Sequence, residues 1–264
     1  MEVYSPGYNK EILSSFSKRS VNKEAAFFMP HIQKGSIILD CGCGPGTITI
    51  GMAMQKGIRK VIGIDISENQ INSCRQRARQ MKCTNVEFLV ADIYNLQLPN
   101  NSIDAVFANG LFQHLERPEK ALAEIKRVLK TNGVVGVRDD DHGSMIISPS
   151  DKKIDKMLSI FNKVMEHSGG NPNAGRYHKA LLIDQGFINP IVSVSCEYDK
   201  NKEETYKRAC IARELLNNME ETIVEYGWAT KVEIEDMKVS IDNWGRNPGA
   251  FNSTMWCEVV AFKK

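Results

Sequence analysis

The chain has 264 residues, with 34 Lys and Arg against 32 Asp and Glu, and 42% hydrophobic and 25% charged side chains. That balance is ordinary for a soluble globular protein and excludes a disordered, collagen-like or fibrous chain. A formal net charge of +2 supplies no strong field, and the concentrated basic face of a nucleic-acid binder is missing. Arg75, Arg77 and Arg79 read instead as a solvated helix face. Seven cysteines, odd in number and sparse, fit a reduced cytosolic compartment better than a disulfide scaffold. The first twenty residues lack an apolar core of signal-peptide length, and no run approaches the roughly 20 apolar residues of a membrane span. A soluble cytoplasmic protein with no membrane or nucleic-acid partner is the expectation.

Residues 1–34 are polar, with an amphipathic helical stretch over Val21–Pro30. From Ser36 strands and helices alternate. Ile37–Asp40 is a short apolar run ending on glycines, as a buried parallel strand does. A helix over Thr47–Gln55, a strand over Lys60–Asp65 and a helix capped by Ser67 and running through Met81 follow. Val86–Val90 and Ile103–Ala108 are the third and fourth strands. Pro118–Leu129 is a helix with Pro in its first turn, stopped at Asn132-Gly133, and Val134–Asp139 is the fifth strand. Beyond Asp141 the pattern loosens into helices over Ser150–His167, Tyr177–Gln185 and Glu203–Tyr226, with strands over Ile191–Glu197 and Thr254–Phe262. Strands separated by helices imply right-handed crossovers, so the fold expected is a doubly wound, Rossmann-like α/β sheet.

Asp40-Cys41-Gly42-Cys43-Gly44-Pro45-Gly46 sits directly between a strand and a helix. Glycines there let the backbone turn tightly and let a ligand lie against the main chain. Asp65 closes the next strand, where an acid accepts hydrogen bonds from ribose hydroxyls. A dinucleotide fingerprint is disfavoured, because its third small position falls on Thr47 and Asp40 would face a pyrophosphate of like charge. A cationic ligand suits Asp40 better.

The spacing D-x-G-x-G-x-G resembles the first motif of class I S-adenosylmethionine-dependent methyltransferases, and the resemblance continues to about residue 140. Gly63–Ser67 looks like the second motif, whose acid binds the ribose. Ala91-Asp92-Ile93 looks like the adenine-binding segment, with Asp92 on the amino group and Ile93 on the ring. Ile103–Val106 with Asn109–Leu115 resembles the fourth-strand region, and Glu124–Gly133 the E-x-x-R-V-L-K-P-G-G segment, departing at Thr131 and Asn132. Arg19 looks like the N-terminal arginine of the small-molecule (ubiquinone-biosynthesis-like) branch. The resemblance implies a mostly parallel seven-stranded sheet with an antiparallel last strand, S-adenosyl-L-methionine as cofactor, S-adenosyl-L-homocysteine as product, and methyl transfer to an O, N or C nucleophile of a small molecule. With no internal repeat and no low-complexity linker, the chain reads as one domain: an N-terminal helical arm (1–34), a cofactor-binding half (35–140), and a substrate half (141–264) with a helical insertion at 200–250. An RNA or protein methyltransferase and a non-catalytic nucleotide-binding module are the alternatives.

The expected cofactor set is Arg19, Asp40, Gly42, Gly44, Asp65, Ile66, Asp92, Ile93 and Asn109. His142 and His114 follow strand ends and are candidate general bases, with Asp141 expected to raise the basicity of His142. Arg138, Arg176 and Tyr177 are candidate substrate anchors. Asp139-Asp140-Asp141-His142 has the composition of a metal cluster, but strand alternation turns Asp139 and Asp141 away from Asp140, and no metal is expected. Cys41 and Cys43 lack a second Cys or His pair and read as small buried thiols. Residues Glu203–Gly249, with their one-sided apolar stripe, are expected to cover the substrate pocket.

Overall fold

The computed structural model describes residues 16–264, so the first fifteen residues of the N-terminal arm lie outside the described residues. Five parallel strands, β1 (Ile37–Cys41), β2 (Lys60–Asp65), β3 (Val86–Val90), β4 (Ile103–Asn109) and β5 (Leu129–Asp140), lie in the order 3-2-1-4-5. A three-residue β6 (Ile146–Ser148) and β7 (Phe187–Tyr198) flank β8 (Phe251–Lys263), which runs against its neighbours between β5 and β7. The sheet is therefore Rossmann-like with an antiparallel last strand, and it has eight strands where seven were expected. β6 is too short to leave a periodic signal.

The helices are α1 (Val21–Glu24), α2 (Thr47–Ala53), α3 (Glu68–Gln80), α4 (Pro118–Val128), α5 (Lys152–His167), α6 (His178–Asp184), α7 (Lys202–Glu225) and α8 (Lys231–Arg246). Both sheet faces are buried. Leu39, Ile64, Val106 and Val137 pack with Leu122 and Ile125 of α4 on one face. Ile38, Val61 and Phe107 pack with Met52 of α2 and Phe28 of the arm on the other. Residues one apart on β1 thus enter opposite cores, which is why the strand reads as a continuous apolar run.

Three expectations are corrected. The helix expected over Val21–Pro30 is one turn, because the buried Glu24 carboxylate turns back to accept from Ser20 N at 2.5 Å and Met29–His31 tightens into a 3₁₀ turn. Helix α4 stops at Val128, and β5 begins at once because Leu129 already pairs with Ile103; Asn132, at φ 63°, sits in the resulting irregularity. Helix α8 was unread, although its Thr230-x-x-Glu233 start is a capping box that the sequence displays.

Helices α5, α7 and α8 build a second core of their own. Ile154, Met157 and Ile160 meet Leu216 and Ile223 of α7 and Ile234, Met237 and Trp244 of α8. Trp244 Nε1 donates to Ser148 O at 2.9 Å and ties this bundle to β6. Among the described residues no helix is long and apolar enough to cross a membrane.

Candidate functional site

A cavity opens at the carboxyl ends of β1, β2 and β4, where open α/β sheets bind ligands. Its floor is the glycine loop. Gly42, Gly44 and Gly46 have φ of 67°, 49° and 73°, a region that L side chains rarely adopt. A Cβ on Gly44 would meet nothing within 4 Å, so the backbone there is bare to the cavity, whereas one on Gly46 would lie 2.7 Å from Cys74 Sγ. Gly46 therefore serves the packing of α2 against α3 and β3, and Gly44 leaves room for a ligand.

The acids fall where the strand ends place them. Asp40 is buried in the cavity wall, and Thr49 Oγ1 donates to its Oδ2 at 2.6 Å. Burial pushes its carboxyl up to about 7, Thr49 works the other way, and Asp65 adds a push of like charge. Asp65 binds the loop to the strand, accepting from Gly44 N and Ser67 N, both at 2.9 Å. Burial raises its pKa, and the amides of Ser67, Gly44 and Ile66 oppose that shift.

Ile66, Ile93, Asn109, Arg19 and His114 also line this cavity, so nine of the expected residues meet in one place. The guanidinium of Arg19 lies 4.3 Å from the Phe16 ring and 5.4 Å from that of Trp256. Asn109 Oδ1 accepts from Arg138 Nη1 at 2.9 Å, which leaves its amide N–H groups as the donating end.

Asp92 stands beside the cavity, not in its lining. It is exposed, and its carboxylate accepts from Tyr94 N at 2.8 Å, shaping the turn that carries Ile93.

The expected substrate anchors stand outside the cavity lining. Arg138 is 0% exposed and spends its guanidinium on Glu258 at 3.2 Å, Glu197 at 3.2 Å, Ser195 and Asn109 beside the Trp256 ring. It locks β5 to β7 and β8. Burial would raise the Glu197 carboxyl, but Arg138, Lys23 and Arg19 outweigh it and hold it below its usual range. Arg176 closes a two-pronged pair on Asp141, at 2.6 and 2.5 Å, and Tyr177 is 53% exposed; neither lines the cavity.

The histidines also sort by environment. His114 lines the cavity, and burial lowers its pKa to about 4, the pull of Asp139 being opposed by His142 and Arg19. Its Nε2 lies 3.3 Å from Gln113 Nε2, which only donates, so Nε2 is an acceptor and the ring is neutral near pH 7. His142 does not line the cavity. Its carboxylate neighbour is Asp140, at 3.6 Å, and not Asp141 as expected, because Asp141 turns to Arg176.

Sequence reasoning missed Phe16, Leu111, Leu115 and Gln70 in the lining, and the buried His178, whose Nε2 lies 2.9 Å from Asp139 Oδ2. Phe16 is readable as an aromatic one helical turn before Arg19. His178 gives no signal, because its partner is 39 residues away.

A second groove of about 700 Å³ separates the helical bundle from the strand ends. Ile66, Tyr94 and Arg117 form one wall, and His167, Met219 and Tyr226 the other. Ile66 belongs to both cavities.

Residues 32–226 match the family model described as a methyltransferase domain. An uncharacterized methyltransferase of Schizosaccharomyces pombe is 30% identical over 225 residues, covering 81% of each chain. Among solved structures, a phosphoethanolamine N-methyltransferase of Haemonchus contortus, bound to phosphomonomethylethanolamine and S-adenosylhomocysteine, superposes with a TM-score of 0.58 at 20% identity. That match covers 92% of this chain, which spans about half the length (52%) of the nematode enzyme. A geranyl diphosphate C-methyltransferase of Streptomyces coelicolor gives a TM-score of 0.55 at 18% identity, covering 92% of this chain and 76% of that one.

Proposed function

From the premise that this chain belongs to the class I S-adenosylmethionine-dependent methyltransferases, we propose that it methylates a small molecule. The observation that carries the reading is the convergence of the bare Gly44 backbone, the buried Asp40, and Asp65 around one cavity with apolar walls. The residues fit the cofactor. Asp65 accepts from backbone amides at both oxygens and keeps acceptor capacity for the ribose hydroxyls. Ile66, Ile93 and Leu115 offer an apolar slot of the kind an adenine ring fills. Arg19 and the N–H groups of Asn109 are donors suited to a carboxylate, and Asp40 suits a cation.

The bound cofactor supplies an electrophilic methyl group on a positively charged sulfur. The protein's part is to hold donor and nucleophile in line, which can contribute several kcal/mol of the barrier, and to exclude water. Arg19, pinned between Phe16 and Trp256, closes the cavity from the side of the N-terminal arm. The small-molecule reading is supported by the absence of a basic face in the sequence and by the narrow, walled site.

Thermal shift tests the donor. S-adenosylhomocysteine should raise the melting temperature by mass action, and NAD and NADP should leave it unchanged. A shift with NAD alone would reject the reading.

A further inference from the structure

We propose that the acceptor is a protic nucleophile, a hydroxyl or an N–H-bearing amine, and that Asp140 rather than a histidine receives its proton. The inference rests on the methyl-transfer reading above and adds the chemistry of the second substrate.

Strand alternation sets the geometry. Asp139 faces α6, where it meets His178 and accepts from Gln113 N at 3.2 Å. Arg138 and Asp140 therefore face the opposite side of β5, the side covered by the N-terminal arm. There Asp140 pairs across β5–β8 with Trp256, whose ring stands between Arg138 and the cavity-lining Arg19. A Cβ on the cavity-lining Gly110 would lie 3.5 Å from Arg19 Nη1 and 3.9 Å from the Trp256 ring, so Asp140, the strand partner of Trp256, stands beside the cavity wall.

The two oxygens of Asp140 differ. Its Oδ2 faces His142 Nε2 at 3.6 Å. Its Oδ1 is shut off from solvent and has no hydrogen-bond partner among the described residues, and Gln113 Oε1 shares that condition. A buried acceptor without a donor costs the full desolvation penalty, and a substrate O–H or N–H removes it. The unpartnered Asp140 Oδ1 calls for a donor-bearing molecule.

His142 Nδ1 lies 2.6 Å from Asn162 Oδ1, an acceptor, which leaves Nε2 as the ring atom turned to Asp140. The imidazole thus stands behind the carboxylate, 3.6 Å from its Oδ2. His114 is the weaker base, since burial keeps it neutral and Gln113 occupies its Nε2. Burial also raises the Asp140 carboxyl, with His142 and Arg19 opposing and Asp139 adding to the rise, so it holds a proton more readily than an exposed acid.

The balance is complete without another reactant. The acceptor's X–H bond breaks and its proton passes to Asp140 Oδ1. The electron pair on X forms the bond to the methyl carbon, and the carbon–sulfur pair returns to sulfur as a neutral thioether. His142, with Nε2 3.6 Å from Asp140 Oδ2, is a positioning residue that holds the carboxylate.

The test uses methyl-labelled S-adenosylmethionine and the small-molecule fraction of a cell extract, with S-adenosylhomocysteine affinity measured by calorimetry on each protein. Asp140→Asn should label product 10²–10⁴-fold more slowly while binding S-adenosylhomocysteine within threefold of the parent. Asp140→Glu should recover at least tenfold of that loss, and His142→Ala should lose less than Asp140→Asn. Independently of the acceptor, the Nε2 signal of the His142 ring in nitrogen NMR should move in Asp140→Asn, because the Asp140 carboxylate faces that atom at 3.6 Å. Turnover of Asp140→Asn within threefold of a labelling parent, a larger loss in His142→Ala, or an unmoved Nε2 signal overturns the proposal. A parent that binds S-adenosylhomocysteine and labels nothing overturns the methyl-transfer reading itself.

Discussion

Asp65 closes the glycine loop onto β2 and also faces the cavity, so its removal should be felt in cofactor affinity. Hydrogen bonds to a charged acceptor contribute about 1.5–3 kcal/mol each, and Asp65→Ala should weaken S-adenosylhomocysteine binding at least tenfold by calorimetry on a folded variant. An unchanged dissociation constant would reject the ribose role. Asp40 carries a pH dependence. Its folded pKa of about 7 lies above the ordinary carboxylate value, so the empty site is largely protonated at pH 6 and ionised at pH 8. A cationic sulfonium favours the ionised form, and a neutral thioether does not. The ratio of S-adenosylmethionine to S-adenosylhomocysteine affinity should therefore rise from pH 6 to 8, by at most about tenfold per pH unit below 7. A flat ratio in the parent, or the same rise in Asp40→Asn, would contradict that role. At this scale the cavity residues were legible because their positions follow from strand ends and glycines. Arg138 and Arg176 were not, because pairing with Glu258 or Asp141 depends on distant chain segments that no local pattern encodes.

The glycine loop divides its labour between packing and binding. Gly46→Ala places a Cβ against Cys74 Sγ and the Phe88 ring and should destabilise the fold, seen as a fall in melting temperature with loss of soluble protein. Gly44→Ala meets open space, costs about 1–2 kcal/mol for its positive φ, and should act chiefly on cofactor affinity. Equal melting temperatures for the two variants would contradict the division. The Glu124–Arg127 pair, read as part of a family segment, proves to be a clamp. Arg127 donates to Leu96 O and Leu98 O, at 2.7 and 2.8 Å, and Glu124 accepts from Leu96 N, holding the loop after β3. The first four parallel strands were readable to within a residue from their apolar runs. The ends that were misread are those that tertiary contacts decide: α1 cut short by Glu24, and β5 started early by its pairing with Ile103.

Over the whole molecule, two cores meet across a groove. The bundle of α5, α7 and α8 has its own apolar interior, and its α7 wall faces Ile66, which also lines the cofactor cavity. Occupancy of the cavity should therefore be felt in the bundle, and hydrogen exchange over residues 218–226 should slow when S-adenosylhomocysteine is bound. Identical exchange with and without ligand would reduce α7 to a packing helix. That the segment was a helical insertion was visible from its apolar stripe. Its partnership with α5 was not, since Ile154 and Ile160 precede it by some fifty residues and only the fold brings them together. The central claim, methyl transfer to a small molecule, is tested most directly by incubating the protein with methyl-labelled S-adenosylmethionine and a whole-cell extract and measuring where the label goes. Label in the low-molecular-weight fraction, with S-adenosylhomocysteine formed in equal amount, is the expected result. Label confined to protein or nucleic acid, or no label above a heat-inactivated control, would contradict the claim.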